Sequence, residues 1–223
     1  MKQKSTILIL SIALAVVVIV AIILYLSAQS NFNSQLQQTK LDTNSSADVF
    51  NNRFNALLQE HSLLLIGTAR RANTSAAYNA SLLALQNNIN EVGQLLTPIY
   101  GANASQLVSL WNQKANIFIN YSISVNNNDP NALVYYNAAE ANYIPQVVAF
   151  WTSTQNPYPT LSQATATQLV TQNQANVKAA IDAWNAGNYP LYYQDLDTAY
   201  VQMGLYGDTI ANAIIQQNPQ DFP

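Results

Sequence analysis

Four ionisable residues interrupt the apolar stripes of this chain, and they are the places where chemistry could sit: His61, Lys114, Glu140 and Asp208. His61 continues Phe50, Phe54 and Leu57 toward Leu64, Lys114 falls between Trp111 and Phe118, and Glu140 falls between Leu133 and Ile144. Asp208 follows Asp197 by about three helical turns, which puts both on one face beside the last apolar stripe. A charge carried to the inside of a helical bundle is either paired or functional, because leaving it unpaired away from water is costly. A cluster of these four admits two uses. One is a hydrogen-bonded network that fixes helix register; the other is a small polar ligand site between helices.

Most catalytic constellations are excluded by the same inventory. A single histidine cannot supply the paired Glu-x-x-His motifs of a di-iron bundle or the two histidines of a zincin. No serine stands in a Gly-x-Ser-x-Gly setting, and the glycines form no phosphate-cradling loop. Cysteine is absent, so neither disulfides nor thiolate metal sites can hold the fold. The expectation is a non-enzyme with no metal and no cofactor.

The elements that position these residues are helices. From about residue 46 to 219 the apolar positions recur in alternating steps of three and four, the period of one helix face. Tyr78, Leu82, Leu85, Ile89, Val92, Leu96 and Ile99 form the clearest stripe, ending at Pro98 and Gly101. Tyr192, Leu196, Ala199, Met203, Tyr206, Ile210 and Ala213 form another, opening after Pro190 and closing before Pro219. Further helices are expected over about 46–71, 105–125, 131–152 and 161–185, with Pro145 kinking the fourth helix and Val170, Val177, Ile181 and Trp184 marking the fifth. The fold class is therefore all-α: an antiparallel bundle of about six helices over residues 46–223, whose weak helix formers Asn, Ser and Thr must lean on packing.

Ahead of the bundle, residues 7–26 hold one serine, one tyrosine and otherwise only Ile, Leu, Val and Ala. At about 1.5 Å rise per residue that run spans roughly the 30 Å of a bilayer core, so residues 7–27 read as a single transmembrane anchor. Lys2 and Lys4 precede it and the next charge is Lys40, which puts residues 1–6 in the cytoplasm and the bundle on the extracellular or periplasmic side. Ser27-Ala28-Gln29 is small enough for a signal peptidase, and cleavage there would give a secreted bundle. Residues 28–45 read as a stalk.

Charged residues are only 9% of the chain, against about 25% in ordinary domains, so Asn, Gln, Ser, Thr and Tyr carry the polar surface. The largest basic cluster is Arg70-Arg71, which makes nucleic acid and anionic lipid poor partners. Asn-x-Ser/Thr sequons stand at Asn44, Asn73, Asn79, Asn103 and Asn120 and would accept glycans in a glycosylating host. The tyrosine groups Tyr135-Tyr136 and Tyr189, Tyr192, Tyr193 suit packing at helix boundaries. Were they exposed, they would suit a carbohydrate or a partner surface.

Several motifs recur together along the domain: Glu60-His61; Asn88, Glu91 and Gly93 followed by Pro98-Ile99-Tyr100-Gly101; Ala149-Phe150 with Asn156-Pro157; and Asp197, Met203, Asp208, Ile214 with Gln217-Asn218-Pro219-Gln220-Asp221-Phe222. This pattern resembles a family of small all-helical proteins found mainly in bacteria and in some large viruses, whose biochemical activity is not established. The resemblance implies a helical bundle and no activity. The chain departs from the family pattern where a Thr-Arg pair should follow Glu60-His61, Arg70 being only a distant counterpart, and Lys114 stands where a family histidine falls.

The expected function is a membrane-anchored, non-catalytic interaction or structural component of a cell envelope or viral membrane, working with a protein partner or as a homo-oligomer. The alternative is a tethered small-molecule or cofactor-binding bundle built on the polar cluster.

Overall fold

The computed structural model describes residues 45–72, 75–153, 161–217 and 219–222. The anchor, nearly all of the stalk, sequons Asn44 and Asn73, and the Asn156-Pro157 turn lie outside the described residues. Among the described residues no helix is long and apolar enough to cross a membrane.

The described chain is all-helical: α1 Ser46–Ala69, α2 Ser75–Tyr100, a 3-10 turn Gly101–Asn103, α3 Ala104–Asn126, α4 Ala132–Thr152, α5 Gln163–Asn185 and α6 Tyr189–Gln217. Local chemistry sets several ends. Ser45 Oγ accepts from the Asp48 backbone N–H at 3.1 Å while donating to the Asp48 carboxylate at 2.8 Å, which caps α1. Ser162 caps α5 by accepting from Thr165 N–H at 3.1 Å.

Two helices end in Schellman turns. In α5 the Gly187 N–H reaches Trp184 O and the Asn188 N–H reaches Ala183 O, both at 2.9 Å, with Gly187 at φ +69°. In α3 the same pair of bonds runs from Asn128 to Val125 and from Asp129 to Ser124, with Asn128 in the left-handed region at φ 56°. The sequence places the start of the last helix after Pro190, whereas α6 begins one residue before it. Asn188 Oδ1 accepts the Leu191 N–H at 3.3 Å, so proline sits harmlessly in the first turn. Pro145 lies inside α4, which continues through it as one helix.

Consecutive helices pack against one another from α2 to α6, and α3 also meets α5. α1 closes the bundle by running antiparallel to both α2 and α6. Toward α6 its register is constant: Asn51 meets Asn212, Asn55 donates to Asp208, Gln59 faces Gly204 and Arg70 donates to Tyr192. Toward α2, Arg53 pairs with Glu91 and Asn88 donates to Leu57 O. Phe222 returns to pack against Phe50 in a tilted contact with ring centroids 5.2 Å apart.

The core follows the expected stripes closely. Leu85, Ile89, Val92 and Leu96 of α2 and Leu107, Trp111, Phe118 and Tyr121 of α3 are buried. α4 departs from the expectation: Leu133 is half exposed and Ile144 only partly buried, while Tyr136, Tyr143, Val147 and Trp151 face inward. Apolar residues surround this helix, so its period alone does not select a face. A buried hydrogen bond from Trp151 Nε1 to Tyr206 Oη at 2.6 Å joins α4 to α6.

Glycines admit close approach at two seams. A Cβ at Gly93 would overlap Val108 Cγ2 of α3, a stiff β-branched side chain, whereas one at Gly204 would meet only the amide end of Gln59, at 2.7 Å. Gly93→Ala is expected to cost about 1–3 kcal/mol in overpacking, only partly offset by the roughly 1 kcal/mol of helix propensity that alanine adds. Gly204→Ala is expected to be neutral or stabilising because Gln59 can swing aside. Urea unfolding of the two variants checks that order.

Candidate functional site

His61 and Lys114 are brought together, and both are inside: His61 is 0% exposed and Lys114 3%. α1 carries His61 onto Trp111 of α3, with ring centroids 4.4 Å apart. Trp111 lies one turn before Lys114 on the same buried face of α3. Asn88 of α2 fixes the imidazole. Its amide donates to Leu57 O at 2.9 Å and to Glu60 Oε2 at 3.3 Å, leaving Oδ1 as acceptor for His61 Nδ1 at 3.2 Å. The Nδ1–H tautomer follows from that arrangement, and Nε2 is left with a bare lone pair and no partner among the described residues.

Lys114 Nζ donates to Asn173 Oδ1 of α5, and Asn173 Nδ2 in turn reaches Met203 Sδ of α6 at 3.1 Å. Two polar links result, one joining α1 to α2 and one joining α3, α5 and α6, and the His61–Trp111 ring contact sets them side by side. No carboxylate takes part in holding the ammonium. Burial therefore lowers the Lys114 amine from its ordinary 10.5 to about 7. Burial also pushes His61 well below 6.5, with the neighbouring Lys114 adding to the shift and the Asn88 hydrogen bond opposing it.

Glu140 and Asp208 lie elsewhere. Glu140 accepts from Tyr136 Oη at 2.8 Å, and Asp208 accepts from Asn55 on the α1–α6 seam. Neither contributes to the shifts at His61 or Lys114. The four-membered cluster expected from the stripes is corrected to a pair, completed by Asn88 and Asn173. Glu140 is held by its own helix, one turn after Tyr136. Asp208 points along the seam because Gly207 brings α1 close, with Leu58 Cδ1 3.2 Å from where a Cβ would stand.

Asn88 and Asn173 were detectable. Asn88 adjoins Ile89 on the α2 stripe, and Asn173 sits between Val170 and Val177 on the α5 stripe. An amide carries no charge to draw notice in a chain full of amides.

Chemically, a neutral lysine beside a histidine with a free lone pair could be a nucleophile and a base. Neither residue lines the groove of about 770 Å³ between α3 and α4 or the groove of about 410 Å³ between α2 and α3. No route for a substrate leads to them through these openings. Among the described residues no group of three His, Asp or Glu side chains could hold a metal ion.

Of the sequons, Asn79 is exposed on α2, Asn103 lies in the 3-10 turn, and Asn120 is exposed on α3 while its Ser122 is fully buried. No protein-family model, no curated protein and no solved structure matches the chain. The family resemblance noted from the motifs therefore lends no residue a role.

The buried pair makes stability depend on pH with a definite sign. Unfolded, Lys114 and His61 titrate near 10.5 and 6.5; folded, both titrate lower. The unfolded chain binds more protons between about pH 7 and 10.5 and again below about 6.5, so stability rises with pH across both windows. Above pH 10 the sign reverses, because burial holds Tyr136, Tyr143 and Tyr206 protonated in the fold.

The melting temperature is expected to climb from pH 5 to about 9 and fall beyond 10. Lys114→Met should abolish the climb between pH 7 and 9, worth on the order of 2 kcal/mol over those two units, and keep the climb below 6.5. A parent chain whose melting temperature is flat from pH 7 to 9 would contradict this.

Proposed function

We propose that the protein is a non-catalytic interaction or structural component of a cell envelope or viral membrane. In this reading residues 7–27 tether the bundle, which works on the extracellular or periplasmic side. The observation that carries it is the closed state of the polar pair: the chain's most reactive groups, His61 and Lys114, are sealed from both surface grooves. A register-fixing network suits that closure, whereas a ligand site would need an opening.

The surface supports the same reading. Val201 and Leu205, one turn apart on α6, are 49% and 51% exposed, and Leu133 and Val134 open α4 at 50% and 61%. On a bundle with so little surface charge such residues are ready to be covered by another chain.

Native mass spectrometry of the full-length protein, extracted gently from its own membrane, tests this. The expected result is a homo-oligomer or a stoichiometric protein complex that falls to monomer when Val201 and Leu205 are both changed to Glu. A monomer carrying a defined small mass that disappears in Lys114→Met would overturn the reading in favour of the tethered small-molecule binder.

A further inference from the structure

The α3–α4 groove uses none of the buried pair and is lined by an unusual set of side chains. Ser109, Asn112, Gln113, Asn116, Asn120 and Ser124 supply the polar lining from α3, opposed by Tyr135, Tyr136 and Asn142 of α4, and Ile117, Tyr121, Ala132 and Ala139 supply apolar surface between them. No residue that lines it is charged. Its volume, about 770 Å³, lies within the usual range of ligand sites, about 300–1,000 Å³.

Two of its walls are held in place from behind. Tyr121 and Tyr136 pack with ring centroids 4.9 Å apart. Tyr121 Oη donates to Asp182 at 2.7 Å and Tyr136 Oη to Glu140 at 2.8 Å. Lys178, ion-paired with Asp182 at 2.5 Å, lies 4.8 Å from the Tyr121 ring and 5.6 Å from the Tyr136 ring. Lys178 balances Asp182 and leaves Glu140 as one excess carboxylate behind Tyr136, and none of the three lines the groove.

The groove side is left with free valences. Among the described residues the amides of Gln113, Asn116, Asn120 and Asn142 have no hydrogen-bond partner, and Tyr135 presents a ring that is 60% exposed. Asn112, Asn116 and Asn120 stand at steps of four along α3, about 6 Å apart by helix rise, although Asn112 Nδ2 already donates to Val108 O at 2.9 Å.

We propose that this groove binds a short segment of uncharged glycan. Each carboxamide both donates and accepts, as each sugar hydroxyl does, so a row of amides can pair with successive hydroxyls and leave neither side unsatisfied. The Tyr135 ring offers an apolar face to the C–H side of a pyranose. An ionic ligand would meet no countercharge, and an apolar one would strip water from amides without replacing it. An extended peptide could use the apolar contacts of Ile117, Ala132 and Ala139, but its backbone pairs best with an exposed sheet edge, which a groove between two helices does not offer. The proposal rests on the interaction reading above and names the class of partner.

The test is calorimetric titration of the full chain, made in a non-glycosylating host so that Asn120 stays free, and held in a detergent without a sugar headgroup. The probes are cellohexaose, maltohexaose, mannohexaose and the N-acetylglucosamine hexamer, with a hyaluronan hexamer as the charged control. Saturable binding of at least one neutral hexamer at millimolar affinity or better is expected, weakened about tenfold by Tyr135→Ala and by Asn116→Ala. Both positions are surface ones, and unchanged melting temperatures would separate lost binding from lost fold.

Failure of all four neutral probes, binding that survives both substitutions, or equal binding of hyaluronan overturns the proposal. So does a peptide that co-purifies with the parent chain and is lost from Tyr135→Ala. None of these results touches the oligomer measurement, which depends on Val201 and Leu205. Binding of the free hexamers and of the corresponding insoluble polymers, compared by sedimentation, separates a soluble glycan from a wall or surface one.

Discussion

Helices rich in Asn, Ser and Thr do not hold themselves in water, and everything else in this protein depends on the faces they present to each other. The seam between α1 and α6 bears much of that dependence. Its contacts advance in steps of four on both helices, Asn51 with Asn212, Asn55 with Asp208 and Gln59 with Gly204, and the same register still holds at Arg70 and Tyr192. Such constancy requires two nearly straight helices in close approach, which Gly204 and Gly207 permit. With no disulfide available, this closure of the first described helix onto the last keeps the bundle from opening.

Closure explains the state of Lys114. An ammonium inside a bundle can be paired with a carboxylate or can have its proton loosened, and here burial without a carboxylate partner lowers the amine to about 7. A carboxylate partner would add a second desolvation cost for an attraction that only good geometry repays. Asn173 and Asn88 cost less to bury because they are neutral, and they pass the polar chain on to Met203 and to the backbone at Leu57. Each link fixes one helix against another, and a slip of one turn in any of them would leave a buried donor or acceptor bare.

Much of this was legible in the residues. The three-four stripes of α2 and α3 mark the faces that are buried, and Gly187 and Asn128 mark ends by their own stereochemistry, whereas the Ser162 cap falls inside the span expected to be helical. The candidate site was half legible. His61 and Lys114 are surrounded by unambiguous stripes, so their direction could be read. Glu140 could not be placed, because Leu133, Val134, Tyr135 and Tyr136 put apolar side chains on every side of the first turn of α4, and only tertiary packing selected Tyr136 as the buried one. Asp208 looked eligible for the core since helical period gives direction around an axis but not which neighbour stands there. The α3–α4 groove left no trace in the pattern, because the period of one helix does not say what space lies between two of them.

The two polar regions of the molecule have opposite physics, and that contrast bears on what the protein does. In the core, reactive groups are sealed and tuned toward neutrality, which serves a fixed fold. On the surface, amides and a tyrosine ring stand open, uncharged and backed by a locked set of aromatic and ionic contacts. A site of the second kind gains little from long-range electrostatic steering and loses little to salt, so its selectivity must come from the geometry of many weak, reciprocal hydrogen bonds. Recognition of that sort gains strength from multivalency, since modest single-site affinities multiply when several copies face one extended surface. On the proposed reading, tethered copies associating through exposed Val201 and Leu205 would meet that condition without any change in the bundle, so the two proposals are compatible with one function.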